Sequence, residues 1–203
     1  MKKQISKNKK INVRKIAGTG VLSALAYVLM FLEFPIPAII PGFIKFDVSE
    51  LPALIASFAY GPVSGVIVCL VKNLLNLLIK SSTGGVGELS NFILGALFVI
   101  PAGILYKQYK TRSAAALGSL LGAFLSAILS FFTNYYVVYP IYTKFMPMEA
   151  IVGAYKAILP SVDSLKEALI IFNVPFTFCK FAIVTIITFL IYKRISPILK
   201  GKI

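Results

Sequence analysis

The stretch "ALIIFNVPFTFCKFAIVTIITFL", residues 168–190, is 23 residues long and carries one charge, Lys180. About 20 apolar residues carry an α-helix through the roughly 30 Å of hydrocarbon in a bilayer, so this run reads as a membrane-spanning helix. Similar runs recur along the 203-residue chain, 58% of which is hydrophobic, and together they give six expected spans: 16–32, 50–60, 62–79, 91–106, 114–139 and 168–192. The second and third meet at Gly61-Pro62, a turn with almost no loop. The expected fold is an all-α integral membrane protein, a single six-transmembrane-helix bundle over residues 1–203.

The net charge of +14 would suit nucleic acid if it were clustered on a soluble surface, but its distribution says otherwise. With six spans, the N-terminus, the 107–113 loop and the C-terminus share one side, which holds 14 of the 21 Lys and Arg and none of the 7 acids. The opposite side holds 5 bases and all 7 acids. Loop Lys and Arg accumulate in the cytoplasm, so both termini are expected there, in the cell membrane, and no nucleic-acid partner is implied. The basic residues 1–15 before the first apolar run imitate a signal peptide, yet the candidate cleavage site Ala24-Leu25-Ala26 falls inside that run, which favours retention as a first helix.

Two segments on the acidic side carry further structure. Residues 33–49 are apolar but hold Pro35, Pro37 and Pro41, which forbid a regular helix; an ordered extracellular loop folded over the helices is expected. Residues 143–167 form a second extracellular segment with room for a short surface helix. Asp47 and Ser49 precede the second span, so Asp47 has two readings, a helix cap or a ligand contact.

The two remaining bases, Lys72 and Lys180, lie inside spans. An ammonium at mid-bilayer costs about 2.5–3.5 kcal/mol on insertion scales unless water, a partner or a ligand receives it. With every acid assigned to loops, Lys180 is expected to lack a buried counter-ion and to face a wet pocket. Asn173, Thr177 and Lys180 follow one helical stripe, and Pro175 frees the carbonyl of Ile171, so a kink is expected where the stripe begins. Asn134 on the fifth span, with Thr177 and Lys180 on the sixth, reads as a shared cavity for a neutral, hydrogen-bonding planar molecule. Lys72 either braces the bundle or faces a partner.

Metal and covalent chemistry find no support. There is no His, the two cysteines Cys69 and Cys179 are solitary within spans, and the Gly84–Gly87 tract lacks the Gly-Lys-Ser/Thr ending of a phosphate-binding loop. Neither an enzyme nor an ATPase is expected, and no cofactor or metal.

The stretches "ALAYVLMFLEFPIP" (24–37), "FDVSELPALIASFAYGPVSGVIVCLVKNLL" (46–75), "GELSNFILGA" (87–96), "NYYVVYP" (134–140) and "VPFTFCK" (174–180) resemble the S-components of energy-coupling factor (ECF) vitamin transporters, most closely those specific for riboflavin. The resemblance implies a six-helix bundle that holds riboflavin under the first external loop. It implies Asn134 on the uracil-like edge of the flavin, Lys180 donating to a ring acceptor and Thr177 bonding nearby. Thr177 stands where members often carry an asparagine, and Lys45 where a relative has a threonine. Loop residues Lys45 and Asp47, and Gly85 in the glycine turn, would complete the substrate site. The resemblance also implies a membrane coupling subunit and two ATPase subunits as partners, met by the first helix. Gly20 and Ala24 would then serve as its small-residue contact, with packing inside the bundle as the other reading. The same fold would also suit another vitamin or precursor, and an intramembrane enzyme or a scaffold completes the alternatives.

Overall fold

The computed structural model describes residues 13–81 and 84–200; the basic residues 2–10, Ser82, Thr83 and Lys202 lie outside the described residues. Helix α1 (Val13–Phe31) leads through a two-residue hairpin, β1 (Phe34–Pro35) on β2 (Lys45–Phe46), into α2 (Glu50–Tyr60) and α3 (Pro62–Ile79). Helices α4 (Val86–Tyr109) and α5 (Arg112–Thr133) follow. A π turn over Asn134–Val138 joins α5 to α6 (Tyr139–Tyr142), then come α7 (Met148–Lys156) and α8 (Leu165–Ala168), and a second π turn over Leu169–Asn173 opens α9 (Val174–Lys200).

Among the described residues five helical stretches are long and apolar enough to cross a membrane: Val13–Phe31, Pro62–Ile79, Val86–Tyr109, Arg112–Tyr142 and Leu165–Pro197. Helix α2 is the exception among the six expected spans. Its 11 residues rise about 16 Å, half a bilayer. Every residue from Glu50 to Phe58 is buried, so α2 is wrapped by the other helices. Its far end packs Tyr60 against Gly18, near the start of α1, while its first residue Glu50 reaches Lys72 in the middle of α3. The 33–49 loop therefore descends to mid-depth before α2 begins. That descent carries Ile40 to full burial. Gly61, at φ +97°, makes the α2–α3 corner in a conformation that side-chain-bearing residues avoid.

Small residues set the contact between α4 and α5. On α5, a methyl group at Gly118 would stand 2.8 Å from the Ala102 backbone of α4, and one at Gly122 would collide with the Phe98 carbonyl. Ser126 on the same face donates to Leu94 O at 2.9 Å. Gly122→Leu is expected to push α4 and α5 apart and to cost about 3 kcal/mol, the upper end for an overpacked core; thermal melting in detergent would show it. Beyond this seam the Phe98 and Phe181 rings stack at 4.5 Å and join α4 to α9.

The two π turns have a shared cause. Pro140 and Pro175 have no N–H to offer the carbonyls four residues earlier, those of Tyr136 and Ile171, and each of these carbonyls falls inside a π turn. The distortion expected at Pro175 takes this form. Asn173, at its end, reaches α7, where Tyr155 donates to Asn173 Oδ1 at 2.7 Å and shares a 2.5 Å hydroxyl contact with Tyr139. This buried chain docks the 143–167 segment on the bundle. Tyr155→Phe removes both bonds and should loosen it by about 2 kcal/mol, at about 1 kcal/mol net for each, read as faster hydrogen exchange in α7.

Candidate functional site

Two cavities open at opposite ends of the bundle. One, of about 770 Å³, is walled by Phe58, Tyr106, Phe189 and Tyr192 and edged by Arg112 and Lys193. The other, of about 210 Å³, lies under the 33–49 loop and gathers amides, a hydroxyl and charged groups against aromatic rings. Convergent polar groups on an apolar wall are what orient a small ligand, so the second cavity is the candidate site.

Its polar wall draws on distant parts of the chain. Asn134 comes from the first π turn, Thr177 and Lys180 from α9, Lys45 and Asp47 from the loop, and all five line the cavity. Gly85 is absent from the wall; Gly87, two residues on, stands there, because Gly85 at φ +92° turns the chain into α4 beside Leu77. The sequence reading also passed over Glu33, Asn76 and Glu88, which line the same space. Asn76 donates to Glu88 Oε1 at 2.9 Å, and Glu33 accepts from Lys45 at 2.6 Å and Lys80 at 3.2 Å. These rim pairs are partly exposed and hold the hairpin to α3 with little net energy. Lys45 thus reaches the site as a salt-bridged side chain.

The expectation that Lys180 lacks a counter-ion is wrong. Its ammonium donates to Asp47 Oδ2 at 2.8 Å and lies 3.2 Å from Glu50 Oε2. Glu50 Oε1 in turn is 2.5 Å from the Lys72 ammonium, which also donates to Ser49 Oγ. Lys72 is completely buried and braces the bundle. The error came from counting 50–60 as a full span with its acids outside. Because α2 starts at mid-depth, Asp47 and Glu50 arrive at the level of the two lysines. Two cations and two anions cancel, which removes most of the cost of burying any one of them.

Asp47 also answers the capping question. Its Oδ1 accepts from Ser49 N at 2.7 Å, while the Ser49 side chain makes no cap bond.

Gly20 and Ala24 both sit on the exposed side of α1, and no atom stands within 4 Å of a methyl group built at Gly20. Packing inside the bundle is not their use. No cluster of three metal-ligating side chains occurs among the described residues.

A helical membrane domain with one loop-covered polar cavity defines a membrane-embedded binding protein. The profile of the ECF transporter substrate-specific component matches residues 14–192, and the chain belongs to that family. It is 35% identical over 189 residues to the riboflavin transporter FmnP of Bacillus subtilis (strain 168), covering 92% of this chain and 94% of the relative. It is 34% identical over 187 residues to the riboflavin transporter RibU of Staphylococcus aureus (strain TCH60), covering 92% and 93%. A solved structure, described as the S component of a bacterial ECF transporter, superposes with a TM-score of 0.72 at 32% identity, over 94% of this chain and 99% of that one. The family is one of transporters, not enzymes.

Proposed function

We propose that this chain is the riboflavin-binding subunit of an ECF-type importer. The observation that carries the reading is the meeting of Asn134 with Thr177 and Lys180 in one cavity, in a chain whose relatives are named riboflavin transporters. The Asn134 amide both donates and accepts, which matches the alternating donors and acceptors on the pyrimidine edge of a flavin. Thr177 adds a hydroxyl. Lys180 has three N–H donors; Asp47 takes one and Glu50 attracts a second, which leaves one for a ring acceptor. Phe43, Tyr139 and Phe176 supply flat apolar walls for the ring system.

In this reading the chain forms one domain in the cell membrane with both termini cytoplasmic, and α2 with the descending loop completes a sixth crossing. The cavity then opens outward, and the charge bias of the loops supports that orientation. The chain has no nucleotide-binding loop, so the energy for release comes from partners, a membrane coupling subunit and two ATPases. The exposed small face around Gly20 and Ala24 suits close approach by such a subunit.

Riboflavin fluoresces and loses that emission when buried among aromatic rings, so titration of purified protein into riboflavin reads binding directly. Saturable quenching at or below micromolar protein is expected. Absence of quenching, with the protein folded, overturns riboflavin as the ligand.

A further inference from the structure

Glu50 and Lys72 lie behind the wall of the candidate cavity and do not line it. They are nevertheless the most deeply buried charges of the described chain, at 1% and 0% exposure. Glu50 uses its two oxygens differently. Oε1 is engaged by Lys72 at 2.5 Å, whereas Oε2, 3.2 Å from Lys180, lies off the hydrogen-bond direction and has no hydrogen-bond partner. Lys180 therefore stands between a carboxylate that holds it by a hydrogen bond, Asp47, and one that only attracts it, Glu50.

We propose that Glu50 and Lys72 are positioning residues for the Lys180 ammonium. Lys72 neutralises Glu50, so Glu50 steers Lys180 without capturing it. The ammonium then stays at the cavity wall with a free N–H. Without Lys72 the full charge of Glu50 faces Lys180, the open Oε2 accepts a direct hydrogen bond, and the ammonium withdraws from the cavity. Ser49 contributes by fixing Lys72 from the loop side, and the Glu50 side chain packs beside Gly95 of α4. Sequence inspection hides this arrangement, because Lys72 and Lys180 are 108 positions apart and share Glu50 as a common ion-pair partner.

The proposal rests on the reading of Lys180 as a ligand contact, and two experiments separate the two claims. The first needs no ligand: side-chain ¹⁵N spectra of lysine-labelled protein, with the Lys180 signal assigned by its loss in Lys180→Met. Lys72→Met should shift the Lys180 signal, and Lys107→Met, at the far end of α4, should not. An unmoved signal in folded Lys72→Met overturns the positioning role, whatever the protein binds. The second is a riboflavin titration of the wild type and five variants. Lys72→Met should weaken affinity about tenfold, the size of one charge-assisted hydrogen bond lost. Lys72→Arg and the charge-balanced pair Lys72→Met with Glu50→Gln should recover most of it. In a Lys180→Met background, Lys72→Met should change affinity by less than about twofold, since a residue acting through Lys180 has nothing left to act on. A full tenfold loss in that background overturns the proposal. A moved Lys180 signal together with no flavin binding by the wild type would retain the positioning role and remove riboflavin.

Discussion

Lys180→Met is expected to lower riboflavin affinity about tenfold to a hundredfold, because a hydrogen bond from a charged donor contributes about 1.5–3 kcal/mol. The same exchange should also destabilise the apo protein by about 3–5 kcal/mol, the cost of leaving a buried carboxylate without its partner. Both effects follow from one geometry, in which the ammonium is shared between Asp47 at 2.8 Å and the cavity. Calorimetry or a thermal melt in detergent gives the stability term, and titration at a temperature well below the melt gives the affinity. A variant that loses affinity and keeps wild-type stability would contradict the ion pairs; one that loses stability and keeps affinity would remove Lys180 from the ligand.

Asp47→Ala should be nearly as damaging, at about 3 kcal/mol, for a different reason. Asp47 is the point where the descending loop is fastened: one oxygen holds Lys180 of α9 and the other holds the Ser49 amide at the start of α2. Removing it leaves Lys180 with Glu50 alone, and the loop loses its ionic tie to α9 while keeping the Phe46–Phe176 ring contact. The expected signature is local: protease cleavage and hydrogen exchange rise in residues 33–49 while the α4–α5 seam stays protected. Uniform loosening of all helices would contradict the fastening role. Asp47→Asn keeps the bond to Ser49 N but gives up the charge, so it should fall between wild type and Asp47→Ala.

Much of the fold was legible because hydrocarbon imposes a simple demand. A run such as 168–190 has no alternative to a helix in a bilayer, and the long helices lie close to where apolar length placed them. Depth was what length could not supply. Residues 50–60 look like a short span by composition, and nothing local to them reveals that α2 starts halfway down, since that depends on how the proline-rich loop packs over α1 and α3. From that one misjudged depth came the mistaken solitude of Lys180. Lys72 did hold the clue: a lysine at the centre of an apolar helix requires an acid at its own level, and Glu50, at the start of the preceding helix, supplies it.

The cavity shows the same division. Asn134, Thr177 and Lys180 announced themselves as polar side chains in apolar surroundings, and the fold brings them to one wall. Glu33, Asn76 and Glu88 did not, because a polar residue near a helix end is ordinary in any membrane protein. Gly85 was placed by the resemblance alone, and the turn around φ +92° gives its neighbour Gly87 the wall position instead.

A crystal structure of the protein with riboflavin tests the central claim most directly. The flavin is predicted under the 33–49 loop, with its pyrimidine edge within hydrogen-bond distance of the Asn134 amide and a ring acceptor within hydrogen-bond distance of the Lys180 ammonium. A flavin seated in the aromatic cavity beside Arg112 and Lys193, or one in the loop-covered cavity that contacts neither Asn134 nor Lys180, would contradict it.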